Sequence, residues 1–368
     1  PVRLLIFFVA IAAIATVLWD AFETVILPRT VTRSVRLARV YFRASWRAWT
    51  GLARMAAAGG RRERILAVYG PLSLVGLLVV WAITLVVGFA ALHWSIGSQL
   101  ITASGAPARF GDDVYMSGTT FFTLGLGDVH PIGRLARILT VVEAGVGFGF
   151  LAIVIAYFPV LYQSFSRREV QLTLLDAWAG SPPAAAEILR RLAEAGELQR
   201  LDGFLEEWEY WCSEILEGHI SYPIVAFFRS QHQKQSWVAA LTTVLDVSAL
   251  VTSGVVGGVS AWRARVTFAI ARHAAVDLSQ TFHVTITETP DRLPDDELER
   301  MLQQLETAGV QPNRSPAAFA ALHELRRSYE PYVTGIARAL MMPAPPWWRE
   351  KPGRDNWQTS PRRDDAHL

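Results

Sequence analysis

The sequence of 368 residues has little cysteine, and long parts of it carry almost no charge. Cys212 is the only cysteine, which excludes an intrachain disulfide and a cysteine-based metal cage. No glycine-rich phosphate-binding loop follows a strand pattern, and no nucleophile–base pair or metal-ligand cluster stands out. We therefore expect neither an enzyme nor a cofactor, metal or nucleic-acid partner of the usual kinds.

Three apolar stretches are long enough to cross a bilayer, which takes about 20 residues of helix. They are Leu4–Leu27, Ile65–Leu92 and Leu135–Gln163. The first resembles a signal peptide, but Asp20 and Glu23 stand in place of a small-residue cleavage site. We interpret residues 1–29 as a retained transmembrane helix.

Arginine is concentrated beside these stretches. Residues 30–64 contain nine arginines and one acid, Glu63, and Arg167 and Arg168 follow the third stretch. Because positively charged loops remain cytoplasmic, we expect both segments inside the cell and the amino terminus outside. The sequence thus predicts a multi-pass protein of the cell (inner) membrane with a cytoplasmic carboxy-terminal part.

Residues 30–64 are predicted to form an amphipathic helix at the inner membrane interface. Arg33, Arg36, Arg43 and Arg47 would face anionic lipid headgroups. A voltage-sensing helix is the alternative, but burying arginines in hydrocarbon costs about 2.5–3.5 kcal/mol each. We favour the interfacial helix.

The remainder predicts an all-α cytosolic bundle over residues 166–342, with apolar residues at helical spacing. Val238–Ser260 is apolar enough to suggest a fourth span, but it contains Asp246, so we favour a buried bundle helix. The tail, residues 343–368, is predicted to be poorly ordered.

The passage between the second and third stretches carries the most specific signal. A short helix-like segment, residues 113–122, is followed by Thr123-Leu124-Gly125-Leu126-Gly127-Asp128. Alternating glycines permit unusual backbone dihedrals, by which consecutive carbonyls can replace the hydration shell of a cation. The hydroxyl of Thr123 could add one more oxygen layer.

Residues 65–165 resemble the pore domain of the prokaryotic potassium channel superfamily, whose filters commonly read Thr-Val-Gly-Tyr-Gly-Asp. The resemblance implies a homotetramer, K⁺ as the permeant ion, and a filter lined by Thr123, Leu124, Gly125, Leu126 and Gly127. Leu126 replaces the usual aromatic residue, which puts ion selectivity in question. Thr119 stands where many relatives place an acid, so Asp128 would lack its usual partner.

Glu143 is the acid within the third stretch, where a buried charge is costly. It could face the central cavity and concentrate cations, or lie behind the filter as a hydrogen-bond partner. We favour the second placement, with Thr119 and Asp128 as the other supporting residues.

Further along, Gly145 and Gly147 are either a hinge or a site of close helix packing. Pro159 should kink the helix, and Phe158 and Tyr162 beside it are candidates for the inner gate.

We therefore predict an all-α membrane protein with three transmembrane helices, a re-entrant pore helix and filter, and an all-α cytosolic bundle. Its predicted function is passive K⁺-selective conduction, modulated by the bundle. A weakly selective cation channel and a non-conducting, membrane-anchored interaction protein are the alternatives.

Overall fold

The computed structural model describes residues 1–27, 36–56, 59–102, 108–232, 234–287, 290–350 and 355–356. The chain divides into two compact units, Pro1–Tyr162 and Gln163–Leu368. Within the described residues, regular structure is almost entirely helical. The predicted class, an all-α membrane protein, is confirmed.

Unit 1 begins with four helices and two short strands. In chain order these elements are α1 (Val2–Ala21), α2 (Leu37–Met55), α3 (Gly60–Ser95), β1 (Leu100–Thr102), α4 (Phe110–Phe121) and β2 (Val129–Pro131). A π-helical turn, Phe22–Ile26, extends α1. The strands pair antiparallel and close the loop on either side of α4.

The long helix α5 (Arg134–Ala179) starts in unit 1 and ends in unit 2. The sequence predicted a domain boundary between residues 165 and 166, but the helix continues across this position, and no glycine or proline lies between 160 and 179 to interrupt it. Pro159 lies inside the helix and does not end it.

Three helices are long and apolar enough to cross a membrane: Val2–Ile26, Gly60–Ser95 and Arg134–Ala179. They contain the second and third predicted stretches in full and the first as far as Ile26. The second and third helices are longer than predicted, because polar ends continue each helix beyond its apolar run. Helix α2 is not among them, in agreement with its many arginines.

Helix α2 packs lengthwise along the first half of α3. The Trp49 indole N–H donates to the Ile65 carbonyl at 2.9 Å, and the Ser45 hydroxyl lies 3.0 Å from the Tyr69 hydroxyl. Tyr41 fills the space beside Gly76, where a Cβ atom would collide with its hydroxyl group. The face of α2 that contacts α3 is therefore fixed, and its other faces are exposed.

Asp20 connects these helices. Its carboxylate accepts hydrogen bonds from the Ala38 backbone N–H and from the Trp81 indole N–H, both at 3.0 Å. The first bond caps the start of α2, whose leading N–H groups have no partner within the helix. One buried acid thereby joins α1, α2 and α3.

The described part of unit 2 contains the end of α5 and six further α-helices. These are α6 (Ala185–Glu194), α7 (Leu201–Ser221), α8 (Trp237–Thr252), α9 (Ala261–Thr281), α10 (Asp295–Thr307) and α11 (Pro316–Ala339). Helix α8 is buried on all sides by the others. The prediction of a buried bundle helix is confirmed, since Asp246 within it pairs with Arg292 at 2.6 Å.

The first part of the tail packs onto unit 2, in contrast to the predicted disorder. Trp347 is 1% exposed, and its carbonyl accepts a hydrogen bond from the Ala186 N–H at 3.0 Å. The guanidinium groups of Arg292 and Arg326 lie 5.6 and 5.4 Å from its ring centre. No helical periodicity marks this segment in the sequence, because the segment is not helical. Residues 351–354 and 357–368 lie outside the described residues.

This packing predicts that Trp347→Ala destabilises unit 2. Removing a buried tryptophan typically costs about 3–5 kcal/mol of unfolding free energy. Cys212 is fully buried in the same unit and is the only cysteine, so its reaction with a thiol reagent in urea reports unfolding. Trp262 is 72% exposed, and Trp262→Ala, the control, should change the free energy by less than about 0.5 kcal/mol. Equal reactivity of Cys212 in both variants would contradict the burial of Trp347.

Candidate functional site

The candidate filter, Thr123–Gly127, has a backbone of alternating handedness. Thr123, Gly125 and Gly127 have φ values of +60°, +55° and +79°, whereas the two leucines between them have negative values. When the sign of φ alternates from residue to residue, the backbone does not coil into a helix, as it does when all φ values have the same sign. Successive carbonyls can then point toward one side, as a carbonyl-lined cation site requires.

The turn from α4 into this segment is a helix C-cap of the Schellman type. The Thr123 N–H donates to the Thr120 carbonyl at 3.0 Å, and the Leu124 N–H donates to the Thr119 carbonyl at 2.7 Å. Thr123 occupies the left-handed position at which such caps usually place glycine. For a β-branched residue this conformation costs about 1–3 kcal/mol. The hydroxyl of Thr123 is therefore present at an energetic cost that glycine would avoid.

The leucines of the candidate filter are open on a single chain. Leu124 and Leu126 are 64% and 63% exposed, and every residue from Phe122 to Asp128 is exposed. The absence of a hydroxyl on Leu126, noted in the sequence, leaves this side chain with apolar contacts only. Such surface requires cover from other protein or lipid.

Asp128 has a partner that the sequence analysis did not identify. The Tyr115 hydroxyl donates to its carboxylate at 2.9 Å, whereas the Thr119 hydroxyl donates to its own helix, at the Met116 carbonyl. Tyr115 lies one helical turn before Thr119 on the same face, and its side chain is long enough to reach Asp128. The four-residue spacing between Tyr115 and Thr119 on one helix was the sequence signal that could have identified this partner.

Glu143 lies behind α4, fully buried. Its carboxyl group contacts the Ser117 hydroxyl and lies 3.7 Å from His93 Nε2. The Ser117 hydroxyl also lies 2.7 Å from the Val86 carbonyl. The structure thus brings together residues of α3, α4 and α5, and the sequence analysis missed His93 and Ser117.

Asp113 completes this group. It is fully buried and accepts a hydrogen bond from the Ser98 hydroxyl at 2.7 Å, and the Ser98 backbone N–H donates to the His93 carbonyl at 2.9 Å. We refer to His93, Asp113, Ser117 and Glu143 as the buried polar cluster. Buried polar groups of this kind require partners, since an unpaired one costs about 1–3 kcal/mol.

The two candidate hinge glycines have different surroundings. A Cβ atom on Gly147 would collide with the backbone carbonyl of Phe121, at the end of α4, whereas nothing lies within 4 Å of a Cβ atom on Gly145. Of the two roles that the sequence allowed, close helix packing therefore applies to Gly147. Gly145 has space on its own chain, and its role as a hinge stays a prediction.

The candidate gate residues lie on a continuous part of α5. Phe158, Pro159 and Tyr162 are exposed on the single chain, whereas Tyr157 and Leu161 are buried. An exposed apolar row beside a proline is compatible with a constriction formed by several chains.

Unit 2 offers no metal site within the described ranges, where no group of three or more His, Cys, Asp or Glu side chains is suitably placed. His219 is fully buried and stacks on Trp237 at 4.7 Å between ring centres. Burial and the neighbouring Arg168 lower the pKa of His219 to about 3, so it is neutral at physiological pH. It has a structural role.

Comparison with known proteins identifies the same part of the chain. Residues 76–163 match a family model described as "Ion channel". The match includes the candidate filter, α4 and most of α3 and α5 up to Gln163, and it supports an ion-channel superfamily for this segment. It also favours a non-enzymatic function.

The curated relatives are bacterial. The uncharacterized membrane protein YdjJ of Bacillus subtilis (strain 168) is 28% identical over 201 residues, which is 54% of this chain and 56% of that protein. Protein LctB of Bacillus caldotenax is 33% identical over 88 residues, or 22% of this chain and 65% of the relative. LctB of Geobacillus stearothermophilus is 31% identical over 88 residues. The chain thus spans between half and two thirds of these proteins, and no solved structure matches it.

The packing of Gly147 predicts a sharp difference between two neighbouring glycines. Gly147→Ala should destabilise unit 1 by about 1–3 kcal/mol, because the backbone of Phe121 cannot move aside as a flexible side chain could. Gly145→Ala, the matched control, should leave stability unchanged. Thermal unfolding of the detergent-solubilised protein measures both. Equal effects of the two substitutions would contradict the close approach of α5 to α4.

Proposed function

We propose that this chain is a subunit of a homotetrameric channel that conducts K⁺ passively and selectively. The observation that carries the proposal is the alternating backbone of Thr123–Gly127 at the end of α4, inside the region matched by the ion-channel family model. Its carbonyls would replace the water around a dehydrated K⁺ ion. The C-terminal end of α4 would add favourable negative potential below them.

The homotetramer follows from the need to surround the ion. Each chain contributes one candidate filter, and that segment is exposed along its length. A ring of carbonyls around a central axis requires several copies, and closed cyclic symmetry supplies them. Four copies would bury Leu124 and Leu126 against neighbouring subunits.

A weakly selective cation channel is the second candidate, and Leu126 is the observation that favours it. Its side chain forms no hydrogen bond that could hold the filter at one diameter. The Tyr115–Asp128 hydrogen bond of 2.9 Å compensates for this loss, because it holds the end of the candidate filter against α4. We favour K⁺ selectivity for this reason.

In the proposed channel the arginine-rich segments and unit 2 lie in the cytoplasm and the amino terminus lies outside, by the distribution of positive charge. Phe158, Pro159 and Tyr162 would form the inner gate. Unit 2 follows this part of α5 directly along the chain, and we propose that it modulates opening without forming the permeation path.

Helix α2 supplies a surface for anionic lipid. Arg43 and Arg47 are exposed on it without an ion pair among the described residues, and the exposed apolar side chain of Val40 lies on the same face of the helix. Arg36 is instead paired with Glu23 at 3.4 Å, so we no longer assign it to headgroups. Arg33 lies outside the described residues.

Ion flux into liposomes tests the main proposal. We expect K⁺ flux well above Na⁺ flux, block by Ba²⁺, and a loss of flux in Gly127→Ala, because its φ of +79° is unfavourable for a residue with a Cβ atom. Gly111→Ala is the matched control, since Gly111 is helical and nothing surrounds its Cβ position. Unchanged K⁺ flux in Gly127→Ala would reject the pore assignment, and a reversal potential insensitive to K⁺ over Na⁺ would favour weak selectivity.

Lipid binding is tested by titrating the solubilised protein with phosphatidylglycerol and counting bound lipids by native mass spectrometry. The double substitution Arg43→Gln and Arg47→Gln should weaken binding by about 30-fold, from about 1 kcal/mol for each arginine. Binding of zwitterionic phosphatidylcholine should not change. Arg200→Gln, an exposed charge of unit 2, serves as the control. Equal loss for both lipids would contradict headgroup recognition by charge.

A further inference from the structure

The buried polar cluster contains more polar atoms than hydrogen bonds. Among the residues that the structure describes, both ring nitrogens of His93, Oδ1 of Asp113 and Oε2 of Glu143 form no hydrogen bond. His93, Asp113, Ser117 and Glu143 are all fully buried. The cluster joins α3, α4 and α5, and Ser117, one of its members on α4, precedes the candidate filter.

The contacts of Ser117 constrain where the protons lie. Its hydroxyl oxygen is within hydrogen-bonding distance of the Val86 carbonyl and of Glu143 Oε1. A serine hydroxyl has one proton to donate, and a backbone carbonyl can only accept. If Ser117 donates to Val86, then its contact with Glu143 is favourable only when Glu143 supplies the proton.

Charge balance in the cluster requires a proton on one of its two carboxyl groups, and the contacts of Ser117 assign this proton to Glu143. The carboxyl groups are those of Asp113 and Glu143, and the cluster contains one imidazole, that of His93. If both were ionised, the cluster would carry net negative charge even with a protonated imidazole, at a site without contact with water. A buried charge without a partner costs several kcal/mol. With a proton on Glu143, one carboxylate remains to balance one imidazolium.

We propose that Glu143 is a protonated carboxylic acid that donates a hydrogen bond to Ser117, which in turn donates to the Val86 carbonyl. Glu143 is then a positioning residue that acts through α4 and not an ionised charge beside the pore. His93 Nε2, 3.7 Å away, faces the carbonyl oxygen of this acid, and a small rotation completes the chain of donors across three helices. The effect on conduction rests on the proposed channel function, but the protonation state does not.

The opposite arrangement is an ionised Glu143 paired with His93. In that case Ser117 donates to Glu143, and its contact with the Val86 carbonyl is left without a proton. Substitutions separate the two arrangements. Glutamine has the same shape as a protonated glutamate, with an N–H donor and a carbonyl acceptor, but it cannot form the ion pair.

The experiment compares Glu143→Gln, Glu143→Leu and Ser117→Ala in the full-length protein. We expect Glu143→Gln to keep the thermal midpoint and the current time course of the parent. Glu143→Leu and Ser117→Ala should lower the midpoint and accelerate the decay of current by on the order of tenfold, because each leaves a buried polar group unpaired. If Glu143→Gln is as impaired as Glu143→Leu, the carboxylate charge is required and the proposal is wrong.

Infrared spectroscopy gives a readout that needs neither conduction nor the leucine variant. A protonated Glu143 contributes a carboxylic-acid C=O band to the parent protein at neutral pH. We expect this band to disappear in Glu143→Gln and to shift to higher frequency in Ser117→Ala, because the hydrogen bond is lost. If the parent and Glu143→Gln show the same carboxylic-acid absorption, Glu143 is ionised. A protein that shows the band but conducts no ions would contradict the proposed function and leave this inference standing.

Discussion

A backbone can take the place of water around a cation only if consecutive carbonyls point the same way, and in the proposed channel this demand falls on the residues from Thr119 to Asp128. The alternating φ values at Thr123, Gly125 and Gly127 meet it. The N–H groups of Leu124 and Gly125 turn back to the Thr119 carbonyl. Because this conformation is strained, the surrounding structure has to hold it.

Both ends of the candidate filter are held by α4. The helix C-cap fixes the first residue, and the Tyr115–Asp128 hydrogen bond fixes the residue after the last. Helix α4 is in turn held from behind by Ser117 and by the close approach of Gly147 to its final turn. The geometry of five filter residues thus depends on the packing of three helices.

The sequence predicted those features that depend on local pattern. Apolar length predicted the spans because the bilayer has a fixed thickness, and the glycine spacing predicted the candidate filter. The partners of Glu143 were not predictable, because Ser117 and His93 meet it only after helices distant in sequence have packed, whereas the partner of Asp128, Tyr115, was signalled only by its spacing along α4. The same reason applies to Trp347, whose burial depends on arginines from two other segments.

Asp20 and Glu143, two of the three acids within the apolar stretches, have comparable structural positions. Asp20 of α1 joins α2 to α3 through Ala38 and Trp81. Glu143 of α5 contacts Ser117 of α4, whose hydroxyl also contacts the Val86 carbonyl of α3. Neither α2 nor α4 is long and apolar enough to cross the membrane. Each is attached to α3 by polar contacts, and such contacts are stronger where hydrocarbon excludes water. Within unit 1, α3 is therefore the element through which a displacement of the arginine-bearing helix α2 would reach the filter helix α4.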